Sequence, residues 1–464
     1  MEINEKYIAE VVARVLKDNK TAVNTNVKQK GVFDSMTEAL AAVEKAYIEF
    51  RKYTIEQREQ MISKIREFTY QEAENLAKLG VEETGMGRVS DKTIKHQVVA
   101  DKTPGTEDLD TRAYSGDSGL TLVEMAPFGI IGSITPSTNP SETVICNSIG
   151  MIAGGNAVVF NPHPNAKRTS NYAVDMVNRA ILEAGGPENL VVSVANPTME
   201  STNEMMSAKS VKMLVATGGP GVVKALLSSG KKAIGAGAGN PPVIVDETAN
   251  IEKAGKDIVL GASFDNNLPC IAEKECFAVD SIADELIYHM TQNGAYLIKG
   301  AQIDELIKVA LVEKDGRYVI NKKMVGRDAG KFLKAMGIDA DPRLIICETD
   351  FDHPFVQTEL MMPILPIVRV KDINKAIELA TKAEHGNRHS AHIHSKNIDN
   401  ITKFAKSVET TIFVKNAPSY AGIGVGGEGH TTFTIAGPTG EGLTSARSFT
   451  RQRRCVMVDA LHII

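Results

Sequence analysis

The chain has 464 residues, 43% of them hydrophobic, and a formal net charge of −5. That length exceeds a single compact core, so two or three domains are expected. The weak negative charge gives no electrostatic reason to expect nucleic acid or an anionic membrane surface as partner, and no apolar run approaches the roughly 20 residues that span a bilayer.

The amino-terminal stretch MEINEKYIAE lacks the charged-then-apolar layout of a secretory leader. Instead, Ile3, Tyr7, Ile8, Val11, Val12, Val15 and Leu16 recur at three- and four-residue spacing and share one helical face. Such a helix either packs on the body of the protein or buries its stripe in a partner's groove. The polar run DNKTAVNTNVKQKG that follows has no period and reads as a linker. After Gly31, Asp34 or Ser35 can cap a helix through EALAAVEKAYIEF, and Thr54 with Gln57 has capping-box spacing before another.

From GIIGSIT onward, short β-branched runs alternate with helical stretches: NAVVF, LVVSV and VKMLVAT, then PPVIVD, CFAVD, ILPIVRV, SAHIHS and TTIFV. This rhythm predicts parallel strands joined by crossover helices. Two α/β domains are expected, meeting near the glycine-rich GAGAGNPP at 235–242.

Several segments have chemical content. In ITPSTNPSETVIC, Thr135 and Pro136 end a strand and Asn139 precedes a proline-led helix. An amide there either caps the helix or donates to a developing oxyanion. In TGGPGVVKAL, Gly218 and Gly219 lead from a strand into a helix, where free N–H groups favour an anion. Five cysteines stand at 146, 270, 276, 347 and 455, without CxxC or Cys/His pairing at ligand spacing. Neither a disulfide framework nor a zinc site is expected, and a reducing cytosol is the natural compartment. Cys276 opens the alternating strand CFAVD, where a cysteine acts as a small buried hydrophobe. Cys270 lies on a connection after Asn-Asn-Leu-Pro, and IAEKE after it is expected to begin a helix whose N-terminus would lower the thiol pKa. His389, His392 and His394 alternate along RHSAHIHS without a metal partner at known spacing, and His389 is a weak candidate for an acyl or CoA pocket.

Together these motifs resemble the aldehyde dehydrogenase superfamily, in family order, from about residue 32 to 455. Asn139-Pro140 resembles the oxyanion Asn-Phe/Tyr-Pro, and GGNAVVFNPHP resembles the strand that meets the adenosine ribose. ATGGPGVV resembles the turn at the pyrophosphate, Cys270 takes the nucleophile's place, and TELMMP resembles Glu-x-Phe-Gly-Pro. The resemblance implies an α/β fold of two Rossmann-like three-layer domains with parallel sheets and an oligomerisation β-arm. It implies Cys270 and Asn139 as catalytic residues. Thr135, Pro136, Asn161, His163, Gly218, Gly219 and Val222 would meet the cofactor, with Glu359 on the nicotinamide ribose. Asn161 stands where the family has Lys. The implied layout is a docking helix over 1–18, a linker over 19–32, and a dinucleotide-binding domain over 33–111 and 127–239. A catalytic domain over 240–432 and oligomerisation segments at 112–126 and 445–464 complete it. The basic run SARSFTRQRRC falls in the last of these, and TTFTIAGPTGEG is expected to line the aldehyde pocket.

Hydrolytic members carry a water-activating Glu in Leu-Glu-Leu-Gly-Gly-Lys, whereas GAGAGNPPVIV has no carboxylate from Gly235 to Val245. Water, with a pKa near about 15.7, needs a base or metal to attack a thioester. A thiol near about 8.5 needs neither. The departure, with SFDNNLPCIAEKE and FTIAGPTGEG, resembles the CoA-acylating branch and its propionaldehyde and acetaldehyde dehydrogenases. That implies oxidation of a short-chain aldehyde to acyl-CoA with NAD (NADP not excluded) and coenzyme A. It also implies a homodimer or homotetramer, and residues 1–18 docking to a microcompartment shell protein. The rivals are a hydrolytic enzyme giving a free acid and a catalytically dead shell-binding protein.

Overall fold

The computed structural model describes residues 29–464. The expected docking helix over 1–18 and most of the linker lie outside the described residues.

Two parallel sheets organise the chain. The first has six strands in the order Val32–Phe33, Val191–Val194, Ala157–Pro162, Ile130–Thr135, Val211–Thr217 and Lys232–Ala236. Four of these, from Val191–Val194 to Val211–Thr217, are buried almost throughout. That is why they read as continuous apolar runs rather than as alternating ones. The second sheet has seven strands in the order Ala295–Ile298, Leu344–Glu348, Ile364–Val370, Glu275–Val279, Pro242–Val245, Ser390–His394 and Ile412–Lys415. The chain leaves the first sheet at Ala236 and enters the second at Pro242. Strand order in the first sheet reverses at Ile130–Thr135, so its carboxyl end opens a crevice of the kind that receives ligands.

A separate three-stranded antiparallel sheet joins Arg112–Gly116, Gly119–Pro127 and Thr450–Val458. Arg451, Arg453 and Arg454 are exposed on it, as are Tyr114, Val456 and Val458. A two-stranded hairpin, Leu311–Lys314 with Arg317–Ile320, had no clear sequence signal.

Local signals set the helix starts. Ser35, not Asp34, caps Met36–Phe50 by accepting from the Glu38 N–H. Thr54 and Gln57 form a reciprocal capping box on the 30-residue helix Ile55–Thr84. That helix packs on Val89–Lys102, whose inward face carries Lys92, Lys95 and His96, all buried. Their i, i+3, i+4 spacing puts three polar groups on one stripe inside the protein.

Asn156, in the GGNAVVF motif, ties the first domain together. It is fully buried. Its Oδ1 accepts from the N–H groups of Phe128 at 2.8 Å and Gly129 at 3.0 Å. Its Nδ2 donates to the carbonyls of Met151 at 3.2 Å and Phe449 at 2.9 Å. Asn156→Ala would strand buried backbone groups from three segments, so it should cost about 3 kcal/mol or more. The expected result is a clear drop in the urea midpoint; an unchanged midpoint would contradict this role.

Candidate active site

A cavity of about 1210 Å³ lies between the two sheets. The first sheet supplies its wall from the carboxyl ends of strands: Pro136 to Asn139, His163, Gly218, Gly219 and Ala236. The second supplies its wall from connections that precede strands: Gly237, Cys270 and Glu359. Thr432, Phe433 and Ile435 close another side, as expected for TTFTIAGPTGEG.

Cys270 is half-buried and opens onto this cavity. Cys146, Cys276 and Cys347 are buried, and Cys455 is exposed on the three-stranded antiparallel sheet. Burial pushes the Cys276 thiol far up, consistent with a core residue. The expected helix at IAEKE is absent: the segment after Cys270 is a turn, closed by Ala272 N–H to the Pro269 carbonyl at 3.0 Å. No helix N-terminus therefore lowers the thiol. Burial and then the Glu359 charge push it up to about 12, while Lys274 pulls the other way. Lys274 also explains the lost helix. Its buried Nζ donates to the Asn267 carbonyl at 2.9 Å, the Asn267 Oδ1 at 2.6 Å and the Pro269 carbonyl at 3.2 Å.

The connection leading to Cys270 is held under conformational constraint. Asp265, Asn266 and Asn267 have φ of 48°, 55° and 65°, a left-handed run that Asp and Asn tolerate better than most residues. Each is anchored. Asp265 is fully buried and accepts from the Arg88 N–H at 2.8 Å, Lys95 Nζ at 2.7 Å and Lys92 Nζ at 3.1 Å. Asn266 accepts from Arg88 Nε at 3.1 Å and donates to the Gly326 carbonyl at 2.9 Å. Asn267 donates to the carbonyls of Ala262 at 2.7 Å and Glu273 at 2.9 Å.

Asn139 begins the helix Pro140–Ala153 but makes no side-chain cap. Its Oδ1 accepts from Lys95 Nζ at 2.5 Å, and its Nδ2 has only a long contact to Thr138 Oγ1 at 3.4 Å. The amide is thus turned away from the helix end, and Asn139 borders the cavity with Cys270.

Gly219 precedes the helix Pro220–Leu227 without a side-chain cap, and a Cβ on Gly218 or Gly219 would meet nothing within 4 Å. Open backbone at a helix start that borders the cavity suits a pyrophosphate. His163 and Pro136 also border it. Glu359 lies on the wall; burial raises its carboxyl, opposed by Lys274 and by a hydrogen bond with the Gly239 backbone. Three expected contacts are not among the lining residues. Asn161 spends its amide on Thr202 Oγ1 and Ser201 Oγ, each at 2.7 Å. Thr135 is buried, and Val222 lies behind Gly219 on the helix.

His389 stands behind Gly239, where an added Cβ would lie 2.9 Å from its Cγ. It does not border the cavity, and burial pushes it down to about 3. His392 bonds the Ile271 carbonyl at 2.9 Å, bracing the segment after Cys270. Among the described residues, no group of three or more His, Cys, Asp or Glu is arranged to hold a metal. Lys92, Lys95, Asp265, Glu142 and Lys274 escaped sequence reasoning. The run Asp-Asn-Asn hinted at left-handed backbone, yet its partners sit some 170 residues away.

The aldehyde dehydrogenase family model matches residues 12–447. The acetylating acetaldehyde dehydrogenase EutE of Salmonella typhimurium is 48% identical over the full length of both chains. A propionaldehyde dehydrogenase from the Clostridium phytofermentans fucose utilisation bacterial microcompartment is 58% identical. Its structure covers 94% of this chain and 100% of its own, with a TM-score of 0.92. A Rhodopseudomonas palustris propionaldehyde dehydrogenase solved with bound CoA and an acylated cysteine is 55% identical, over 94% of this chain and 99% of its own, with a TM-score of 0.91. With two parallel sheets, a cysteine between them and these matches along nearly all its length, the chain belongs to the aldehyde dehydrogenase family.

Proposed function

We infer that this protein oxidises a short-chain aldehyde, propionaldehyde or acetaldehyde, to its acyl-CoA with NAD(P) and CoA. One observation carries the reading: the thiol of Cys270 and the amide of Asn139 share a cavity bordered by Ala236, Gly237 and Ala238, within a stretch that has no carboxylate from Gly235 to Val245. The names of the relatives support the same chemistry.

The nicotinamide cofactor supplies the hydride acceptor. Its pyrophosphate is assigned to Gly218 and Gly219, its nicotinamide ribose to Glu359, and its adenosine side to Pro136 and His163. NAD is the proposed cofactor and NADP the alternative. Asn161, with both amide ends engaged, is not assigned a side-chain contact.

Cys270 reacts as its thiolate, the minor form at pH 7, after the thiol proton has left to solvent. Its sulfur bonds to the aldehyde carbon, and the carbonyl electron pair moves to oxygen. Asn139 Nδ2 and the Cys270 N–H donate to that oxygen. When the oxygen pair returns, hydride departs with its electrons and a thioester remains on Cys270. The same two donors hold the second oxyanion, formed when the CoA sulfur attacks as its thiolate, its proton having gone to solvent. The Cys270–carbon bond then breaks, releasing acyl-CoA and the thiolate. The sequence is ping-pong. Glu359 also borders the cavity, where burial raises its carboxyl, and it is assigned to the nicotinamide ribose.

Two placements extend this reading. The exposed apolar and basic residues of the three-stranded arm suit contact with a second copy of the chain, in a dimer or tetramer. Residues 1–18 are assigned to docking on a microcompartment shell, which the amphipathic pattern and the microcompartment origin of a close structural relative support. The enzyme would then work inside such a shell in the cytoplasm.

Cys270→Ala should abolish the rise in absorbance at 340 nm while leaving cofactor binding nearly unchanged. Without CoA, wild-type enzyme should release one equivalent of reduced cofactor and then stall, with free acid formed at no more than about a hundredth of the CoA-dependent rate, the scale of a missing general base. Free acid at a comparable rate would establish the hydrolytic reading instead. Because burial holds the thiol neutral at pH 7, alkylation of the free enzyme by iodoacetamide should rise about tenfold per pH unit from 7 to 9. A plateau below pH 8 would show a lowered thiol and contradict this.

A further inference from the structure

Deep beneath the cavity lies a closed ionic group that the chemistry above does not use. Lys95 Nζ sits 2.7 Å from Asp265 Oδ2, 2.8 Å from Glu142 Oε1 and 2.5 Å from Asn139 Oδ1. Lys95, Asp265 and Glu142 are each fully buried. Lys92 adds a second ammonium, 3.1 Å from Asp265 Oδ2 and 3.0 Å from the Thr138 carbonyl. Two cations thus face two carboxylates, and the charges balance. Burial alone would push the Lys95 ammonium down; Asp265 and Glu142 more than reverse this, so it stays charged.

An ammonium has three donors and no acceptor. Only the oxygen of a neighbouring amide can face it. With Oδ1 fixed on Lys95, the NH₂ of Asn139 must point the other way, and its weak contact to Thr138 leaves it available. The same ammonium holds Asp265, five residues before Cys270, in its left-handed conformation. We propose that Lys95 is the positioning residue of this active site: it selects the amide orientation that offers N–H to the oxyanion and ties that amide to the loop bearing the nucleophile. Without it, the amide of Asn139 can turn over and present its oxygen to the developing negative charge.

The proposal rests on Asn139 being an oxyanion donor, and the test separates the two. Removing Lys95 alone leaves Glu142 without its closest cation, so the variant used is Lys95→Met with Glu142→Gln, which preserves charge balance and leaves Asp265 paired with Lys92. This enzyme should melt near the wild-type temperature and bind NAD with similar affinity. Its single-turnover hydride transfer should fall by about 10²–10³-fold, the cost of losing one oxyanion donor. Asn139→Ala alone should fall by a similar factor. In the combined triple variant the losses should not multiply, because both changes remove the same donor. A hydride step near wild type in Lys95→Met/Glu142→Gln overturns the proposal, as do losses that multiply, which mark independent structural damage. Wild-type turnover in Asn139→Ala overturns the oxyanion reading itself, and the proposal with it.

Discussion

A single carboxylate, Asp265, removed from water and gripped by two lysine ammoniums, is the constraint on which the site depends. A lone buried charge of this kind would cost several kcal/mol. It persists because Lys92, Lys95 and the Arg88 N–H all point at it. That arrangement fixes a turn of three successive left-handed residues, and Cys270 lies three residues beyond its end. The lysines come from the helix Val89–Lys102 and the turn from the end of Ile251–Ser263, so the ion pairs also join two distant parts of the sequence.

The two sheets convert this local constraint into a site. Carboxyl ends of strands in one sheet face connections that enter strands of the other. The first arrangement offers open backbone at Gly218 and Gly219, suited to an anion. The second offers side chains on short, anchored connections, suited to covalent chemistry. Neither domain alone encloses the cavity. Buried histidines behind the second wall serve packing: His392 bonds the Ile271 carbonyl, and His389 presses on Gly239.

Much of this was legible in the sequence because it was local. Caps at Ser35 and Thr54 obey side-chain chemistry three residues away, and fully buried strands such as Ala157–Pro162 announce themselves as β-branched runs. Cys270 and Asn139 stood out by motif. What failed was decided at long range. IAEKE has the composition of a helix, but Lys274 is drawn inward to the carbonyls before it and the segment turns instead. The thiol is raised, not lowered, because burial and the Glu359 charge outweigh the pull of Lys274. Asn139 had the position of a helix cap, yet its oxygen goes to a lysine 44 residues earlier. Asn161 occupied a binding motif but is consumed by Ser201 and Thr202.

Two glycines where the chain passes from one sheet to the other, Gly235 and Gly239, leave no room for a side chain. A Cβ at Gly235 would lie 2.6 Å from Val223 Cγ1, and one at Gly239 would lie 2.9 Å from His389 Cγ and 3.0 Å from the Cys270 carbonyl oxygen. Distances that short force a stiff valine, a packed imidazole or the main chain itself to move. A larger side chain at either place would first have to displace that packing. Gly235 and Gly239 are therefore held as glycine by steric fit alone, whatever the chemistry in the cavity beside them.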